Sequence, residues 1–134
     1  MRLEGRCYCG AVRYVAEGEP IMRAQCHCRE CQYISGGGPT MVIGMPKEGF
    51  AYTEGQPASF SRPDLERPVA REFCPACGTH ILGRPQGFPA VIIKVGTLDD
   101  PTLFEGPDVA IQTADTQSFH LIPEGIPQFE RFPG

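Results

Sequence analysis

The sequence has 134 residues, of which 41% are hydrophobic and 21% charged, a globular composition that argues against a disordered chain. The net charge is -4, and no basic cluster of the kind that binds nucleic acid is present. No apolar run approaches the roughly 20 residues of a membrane span, and residues 1–6 lack the apolar stretch of a secretion signal. We therefore expect a single soluble, cytoplasmic domain over residues 1–134, with no nucleic-acid or membrane partner.

Sixteen glycines and fourteen prolines, spread along the whole chain, favour short strands joined by turns. A short helix is predicted over residues 29–35, where a glycine triplet and Pro39 end it. Residues 125–134 are predicted to lie extended on the surface. Alternating β-branched or aromatic and polar residues predict strands over residues 10–17, 20–25, 40–45, 50–53, 58–61, 69–73, 79–83, 90–95, 109–112 and 118–122. The fold class predicted is a small, mainly β domain of short antiparallel strands.

The cysteines form three closely spaced groups. An odd number of cysteines without a secretion signal argues against a disulfide framework. Cysteines two or three positions apart can instead converge on a metal ion, and zinc takes four such ligands in a tetrahedron. The groups are Cys7 and Cys9; Cys26, Cys28 and Cys31; and Cys74 and Cys77. The sequence therefore predicts that bound zinc links segments of the domain and stabilises it.

Two of the groups share a following glycine. Gly10 follows Cys9 and Gly78 follows Cys77, and glycine permits the left-handed backbone that wraps amides around a sulfur. We therefore predict one closed site from the four cysteines of these groups: Cys7, Cys9, Cys74 and Cys77. Such a site is structural, because zinc binding contributes folding free energy directly.

Cys26, Cys28 and Cys31 remain, and three protein ligands with one open position are typical of a reactive zinc. The alternative is an inert site completed by a histidine, for which His27, His80 and His120 are the candidates. An iron–sulfur cluster would need a fourth cysteine, and the motif of zinc deaminases is absent. Because a sulfur-rich centre prefers a sulfur guest, thiol activation is favoured over hydrolysis.

The sequence resembles the glutathione-dependent formaldehyde-activating enzyme family, whose domain also occurs in centromere protein V. The motifs that carry the resemblance are Cys7-Tyr-Cys9-Gly10, the segment from Cys26 to Gly36, Phe73-Cys74-Pro-Ala-Cys77-Gly78, and Gly96-Thr-Leu-Asp-Asp-Pro101. The resemblance implies a zinc-bearing β-tent fold like that of methionine-R-sulfoxide reductases. It also implies two zinc ions, one structural on the four cysteines named above and one reactive on Cys26, Cys28 and Cys31.

The activity implied is that of a carbon–sulfur lyase, which joins glutathione, or another small thiol, to formaldehyde or a related aldehyde. A zinc-held thiolate would attack the carbonyl carbon, and the resulting alkoxide would take a proton from water or from His27. The alternative for His27 is a hydrogen bond to a backbone carbonyl. Arg29 and Arg23 lie nearest the cluster in sequence, so either can hold a glutathione carboxylate or lie at the surface.

Two further classes of function stay open. The first is a carrier that binds glutathione without catalysis, and the second is a zinc-stabilised protein-interaction module. A sulfoxide reductase fits less well, because it needs a free nucleophilic cysteine and none remains if all seven bind metal.

Overall fold

A computed structural model describes residues 1–133 as two β-sheets with one short α-helix. The strands are β1 (Arg2–Arg6), β2 (Arg13–Glu17), β3 (Met22–Cys26), β4 (Thr40–Pro46), β5 (Phe50–Glu54), β6 (Ala58–Phe60), β7 (Ala70–Phe73), β8 (His80–Arg84), β9 (Ala90–Lys94) and β10 (Val109–Ile111). The helix is α1 (Arg29–Ser35), and four 3-10 turns lie at Lys47–Gly49, Val95–Thr97, Pro101–Phe104 and Thr113–Asp115. The prediction of a mainly β fold is confirmed.

The smaller sheet has the strand order β1-β2-β5, and the larger has the order β10-β3-β4-β9-β8-β7-β6. Every pairing between these strands is antiparallel except that of β10 with β3. The parallel pairing places Ile111 opposite Cys26, so a late segment of the chain closes over the middle of the sequence.

The larger sheet is buried on both faces at its centre. Ile43 and Ile93 are cross-strand partners in a core that both sheets share. Val42 and Ile92 point to the opposite face and contact a second cluster, which includes Cys26 and Cys31. This two-sided burial explains the nearly continuous apolar sequence of β9, and each fully buried Ile or Val contributes about 1.5–3 kcal/mol.

Helix α1 covers the face of the larger sheet that carries Cys26. Its first residue follows Cys28, whose sulfur accepts a hydrogen bond from the Cys31 amide at 3.2 Å. Gly36 ends the helix with a left-handed backbone at φ 84°. Glu30 on the helix forms an ion pair with Arg71 of β7 and so fixes α1 above the sheet.

The sequence did not predict β1, and it wrongly predicted a strand at 118–122. In β1, Leu3 is buried and Gly5 lies against the Tyr14 hydroxyl and the Thr97 carbonyl, where a Cβ atom would not fit. Residues 118–122 form a turn in which the His120 amide donates to the Gln117 carbonyl at 3.0 Å. Phe119 and Leu121 are exposed, so these apolar side chains do not form the buried face of a strand.

The remaining boundaries differ by a few residues. The strand predicted over 10–17 begins only at Arg13, because Gly10 and its neighbours form a turn after the first cysteines. In the predicted extended tail, the Phe129 amide donates to the Ala110 carbonyl at 2.9 Å, and the Phe129 carbonyl accepts from the Thr113 amide at 3.0 Å. The last tail residue, Gly134, lies outside the described residues. The single-domain expectation stays a prediction.

Candidate metal centre

Four cysteines meet where the two sheets join. Cys7 and Cys9 lie in the turn from β1 to β2, and Cys74 and Cys77 lie in the turn from β7 to β8. All four sulfurs lie within 4.8 Å of one another. The Cys9 sulfur is 3.7 Å from that of Cys7 and 3.8 Å from that of Cys74. Zinc–sulfur bonds of about 2.3 Å would place tetrahedral sulfurs about 3.8 Å apart, so the group fits zinc.

The backbone around this group has the conformation that the glycines predicted. Gly10 and Gly78 have φ values of 81° and 78°, both left-handed. Amides donate to sulfur from Val12 to Cys7 at 3.3 Å and from Ala76 to Cys74 at 3.4 Å. Amide hydrogen bonds favour the thiolate, which is the form that binds metal.

The other three cysteines meet at the start of α1. Cys26 is the last residue of β3, Cys28 precedes the helix, and Cys31 lies in its first turn. Their sulfurs also lie within 4.8 Å of one another, with 2.9 Å between those of Cys28 and Cys31. Cys26 and Cys31 are buried, and Cys28 is half-buried. Three clustered thiols are a donor set that fits zinc.

No fourth ligand joins this group within residues 1–133. In that range no histidine nitrogen or carboxylate oxygen lies within 4.8 Å of all three sulfurs. The three histidines proposed as a fourth ligand, His27, His80 and His120, therefore lie outside the group. A four-coordinate metal ion held by these three sulfurs would have one position for a further ligand.

The pKa values of the three thiols are shifted in different directions. Hydrogen bonds from Cys26 and then Cys28 lower the pKa of Cys31. The pKa of Cys26 is raised, first by its hydrogen bond with Cys28 and then by that with Cys31. The positive charge of Lys94 also lowers the pKa of Cys31. The thiolate therefore forms most readily at Cys31, under the helix.

The sequence profile of the family described as "Glutathione-dependent formaldehyde-activating enzyme" matches residues 2–115, well over half of the chain. The chain belongs to this family. The crystal structure of a Rhodobacter sphaeroides protein is similar in fold, with a TM-score of 0.59 at 18% sequence identity. That likeness covers 78% of this chain and 96% of the other. Among curated proteins, none matches the chain significantly.

The membership confirms the resemblance that the cysteine motifs indicated. The structure places the other predicted site residues, His27, Arg29 and Arg23, in different surroundings. None of the helices within residues 1–133 combines the length and the apolar character that crossing a bilayer requires.

His27, in this family member, is fully buried within a hydrogen-bonded network. The side-chain nitrogen of Gln25 lies 2.7 Å from the Leu121 carbonyl oxygen and therefore donates to it. The same nitrogen lies 3.0 Å from Nε2 of His27, which must accept. The proton of a neutral His27 is then on Nδ1, 3.0 Å from Nδ1 of His120.

His120 completes the network. Its Nδ1 accepts from His27, and its Nε2 donates to the Gly37 carbonyl at 2.7 Å. Burial, and then the charge of His120, lowers the pKa of His27 and so favours the neutral form of its ring. Each ring nitrogen of His27 has a hydrogen-bond partner, which favours a supporting role for this residue. The backbone carbonyl in the network, that of Gly37, is bonded to His120 and not to His27.

Replacing His120 with phenylalanine is expected to lower the free energy of unfolding by about 1–3 kcal/mol, because the buried Nδ1 proton of His27 and the Gly37 carbonyl lose their partner. Urea denaturation monitored by circular dichroism measures the change. The neighbouring Phe119→Ser is the control, since Phe119 is 69% exposed. Equal stability of His120→Phe and the unmodified protein would show that the network does not contribute to the free energy of unfolding.

The two arginines nearest the cysteines lie in different surroundings. Arg29 contacts Gln32 at 2.5 Å, and its guanidinium carbon lies 5.0 Å from the centre of the Tyr33 ring. Arg23 alternates with Ala24 and so points to the sheet face opposite Cys26, where it lies 3.9 Å from Asp108. Of the two, only Arg29 is on the helix that carries Cys31.

A cavity of about 540 Å³ opens beside the four-cysteine group, with Arg6, Arg13 and Asp99 in its lining. It does not reach Cys26, Cys28 or Cys31. Because the four cysteines beside it complete a tetrahedral set among themselves, this cavity offers no open ligand position.

Three residues near the three-cysteine group were not predicted from sequence. Thr40 is the cross-strand partner of Cys26, and Lys94 is a nearly buried lysine at the end of β9. Gln25 anchors the histidine network. The signal for Lys94 was a charge inside an otherwise apolar strand. Gln25 and Thr40 gave no local signal.

Proposed function

We propose that the protein is an enzyme that joins glutathione, or another small thiol, to formaldehyde or a related aldehyde. In this reaction the thiol S–H bond breaks, an S–C bond forms to the carbonyl carbon, and the proton ends on the former carbonyl oxygen. No oxidant or reductant is needed. The observation that carries the proposal is a group of three clustered thiols that no fourth side chain within residues 1–133 completes. Membership of the glutathione-dependent formaldehyde-activating family supports it.

The donor set supports two zinc ions, one on each cysteine group. When bound to Cys26, Cys28 and Cys31, zinc supplies a sulfur-preferring Lewis acid with one open position. The seven cysteines are all free, which fits the reducing cytoplasm as the compartment.

The chain itself orients and shields the site. The β3 end and the first turn of α1 hold the three sulfurs together, while burial of Cys26 and Cys31 excludes water on the sheet side. Cys28 is the half-buried member, so the thiol substrate approaches from its side. Both nitrogens of His27 are occupied, and we therefore assign the proton transfer to water.

Initial rates of adduct formation test the proposal. Glutathione and formaldehyde are mixed with and without the zinc-loaded protein at equal free zinc, and the adduct is quantified by NMR. The proposal predicts a rate that rises in proportion to protein concentration. Measurable glutathione binding with an unchanged rate would identify a carrier instead.

A further inference from the structure

Helix α1 carries a buried glutamine directly after Cys31. The side chain of Gln32 is only 3% exposed. Glutamine is mostly exposed in folded proteins, and a buried polar side chain is nearly always hydrogen-bonded. If Gln32 served packing alone, an apolar side chain of similar size would fill the space without the cost of burying an amide. The hydrogen-bond partners of its amide group therefore indicate what this residue does.

The side-chain amide of Gln32 has a partner at every hydrogen-bonding position. Its nitrogen donates to the carbonyl oxygens of His27 and Asp115, at 2.9 Å each. Its oxygen accepts from the Arg29 guanidinium at 2.5 Å and from the side-chain nitrogen of Gln117 at 3.1 Å. A primary amide has two donor hydrogens and two acceptor lone pairs, so these four partners use its full capacity. Two carbonyls on one side and two N–H donors on the other fix the amide nitrogen toward His27.

The main chain of His27 connects two of the three clustered cysteines, Cys26 and Cys28. The His27 amide belongs to the peptide group shared with Cys26, and it donates to the Ile111 carbonyl of β10 at 3.0 Å. The His27 carbonyl belongs to the peptide group shared with Cys28, and it accepts from Gln32 of α1. Each of the two peptide groups that flank His27 is therefore held by a different element, β10 on one side and α1 on the other.

Of the three sulfurs, that of Cys28 depends most on the Gln32 contact. Strand β3 ends at Cys26 and α1 begins at Arg29, so Cys28 lies in the connection between them and is half-buried. The Cys28 carbonyl accepts from the backbone amide of Gln32 at 3.1 Å. Gln32 thus binds the carbonyl before Cys28 with its side chain and the carbonyl of Cys28 with its main chain. These two peptide groups set the backbone angles of Cys28 and hence the direction of its sulfur.

We propose that Gln32 is a positioning residue for the three-cysteine group. It holds the peptide group between His27 and Cys28 and so directs the Cys28 sulfur toward the other two sulfurs. Groups that orient metal ligands in this way typically change metal affinity by about 10–100-fold when they are replaced. This inference rests on the proposed function, because it concerns the metal ion on which that reaction depends.

Three variants of the full chain separate the contact with His27 from the other contacts of Gln32. Gln32→Met keeps the size of the side chain and removes all its hydrogen bonds. Gln32→Glu keeps oxygen acceptors for the Arg29 guanidinium, but its carboxylate cannot donate to the His27 carbonyl. Gln117→Met is the matched control, because it removes one partner of the Gln32 oxygen and leaves the His27 contact in place.

Cadmium NMR of the cadmium-loaded chain reports the sulfurs around each ion, and one signal is expected from each cysteine group. In Gln32→Met and Gln32→Glu the signal of the three-cysteine group should shift or broaden, while that of the four-cysteine group stays unchanged. Native mass spectrometry of the zinc-loaded chain in a chelator series measures affinity. Both Gln32 variants should lose the ion of the three-cysteine group at a chelator concentration about tenfold lower or less. Gln117→Met should match the unmodified chain in both measurements.

An unchanged signal and an unchanged affinity in either Gln32 variant would overturn the inference, and so would the same changes in Gln117→Met. Loss of both cadmium signals in the Gln32 variants would also overturn it, because Gln32 would then serve the whole fold rather than one site. Metal binding that depends on Gln32, without any acceleration of adduct formation by the unmodified chain, would instead contradict the proposed function alone. A single cadmium signal from the unmodified chain would contradict both.

Discussion

The Cys74→Ser variant is expected to lose at least about 3 kcal/mol of folding free energy, and to be largely unfolded at 37 °C. Cys74 is fully buried between the two sheets, and its sulfur is a partner of Cys9 and of the Ala76 amide. Serine shortens the side chain and ligates zinc poorly. Since the four-cysteine group joins the β1–β2 and β7–β8 turns, its loss separates the two sheets. Thermal unfolding followed by circular dichroism measures the effect.

Cys28→Ser is the matched control for this prediction. Cys28 is half-buried and belongs to the group at the start of α1, which joins only neighbouring segments. This variant should remain folded while native mass spectrometry shows one zinc ion fewer. If both variants unfold to the same extent, the division into a structural and a reactive site is wrong.

The second large effect concerns activity. Cys31→Ser is expected to reduce the protein-dependent rate of adduct formation by more than about 100-fold, because even outer-shell changes around a metal cost 10–100-fold. Cys31 is 3% exposed, and among Cys26, Cys28 and Cys31 its thiol is the one whose pKa is lowered. The variant should stay folded, since the four-cysteine group is untouched.

Tyr33→Ser on the same helix is the control for this second prediction. Tyr33 is 81% exposed and is not part of the cluster around Cys26 and Cys31, so its replacement should leave the rate nearly unchanged. A Cys31→Ser variant that keeps full activity would show that the reaction takes place elsewhere on the protein.

The local features of the fold could be predicted from the sequence because their causes are local. The helix has the predicted bounds, Arg29–Ser35, since the glycine triplet after it ends any helix. The left-handed Gly10 and Gly78 follow from their place beside cysteines. The short spacing within each cysteine group likewise limits which sulfurs can meet.

The errors arose where burial, rather than composition, decides the structure. Residues 118–122 contain Phe119 and Leu121, which are typical of a strand, yet both are exposed and His120 is the buried member. In β1 the inward positions are Leu3 and Gly5, a pattern with only one bulky apolar residue. Neither case can be resolved without knowing which element packs opposite.

Contacts between residues far apart in the chain could not be predicted from the sequence either. The bond between His27 and His120 joins residues 93 positions apart, and the Gln25 amide reaches Leu121 across 96. Lys94 lies on the sheet face of Cys26 and Cys31 only because β9 pairs with β4 in a particular register. Spacing within a motif carries no information on such pairings.

We expect a metal ion on Cys26, Cys28 and Cys31 to be open to an external thiol. A crystal structure of the zinc-loaded protein with glutathione, with anomalous data at the zinc edge, tests it most directly. The expected result is zinc bound by these three sulfurs, with the glutathione sulfur as fourth ligand. A fourth ligand from the chain itself, or no zinc at these cysteines, would contradict it.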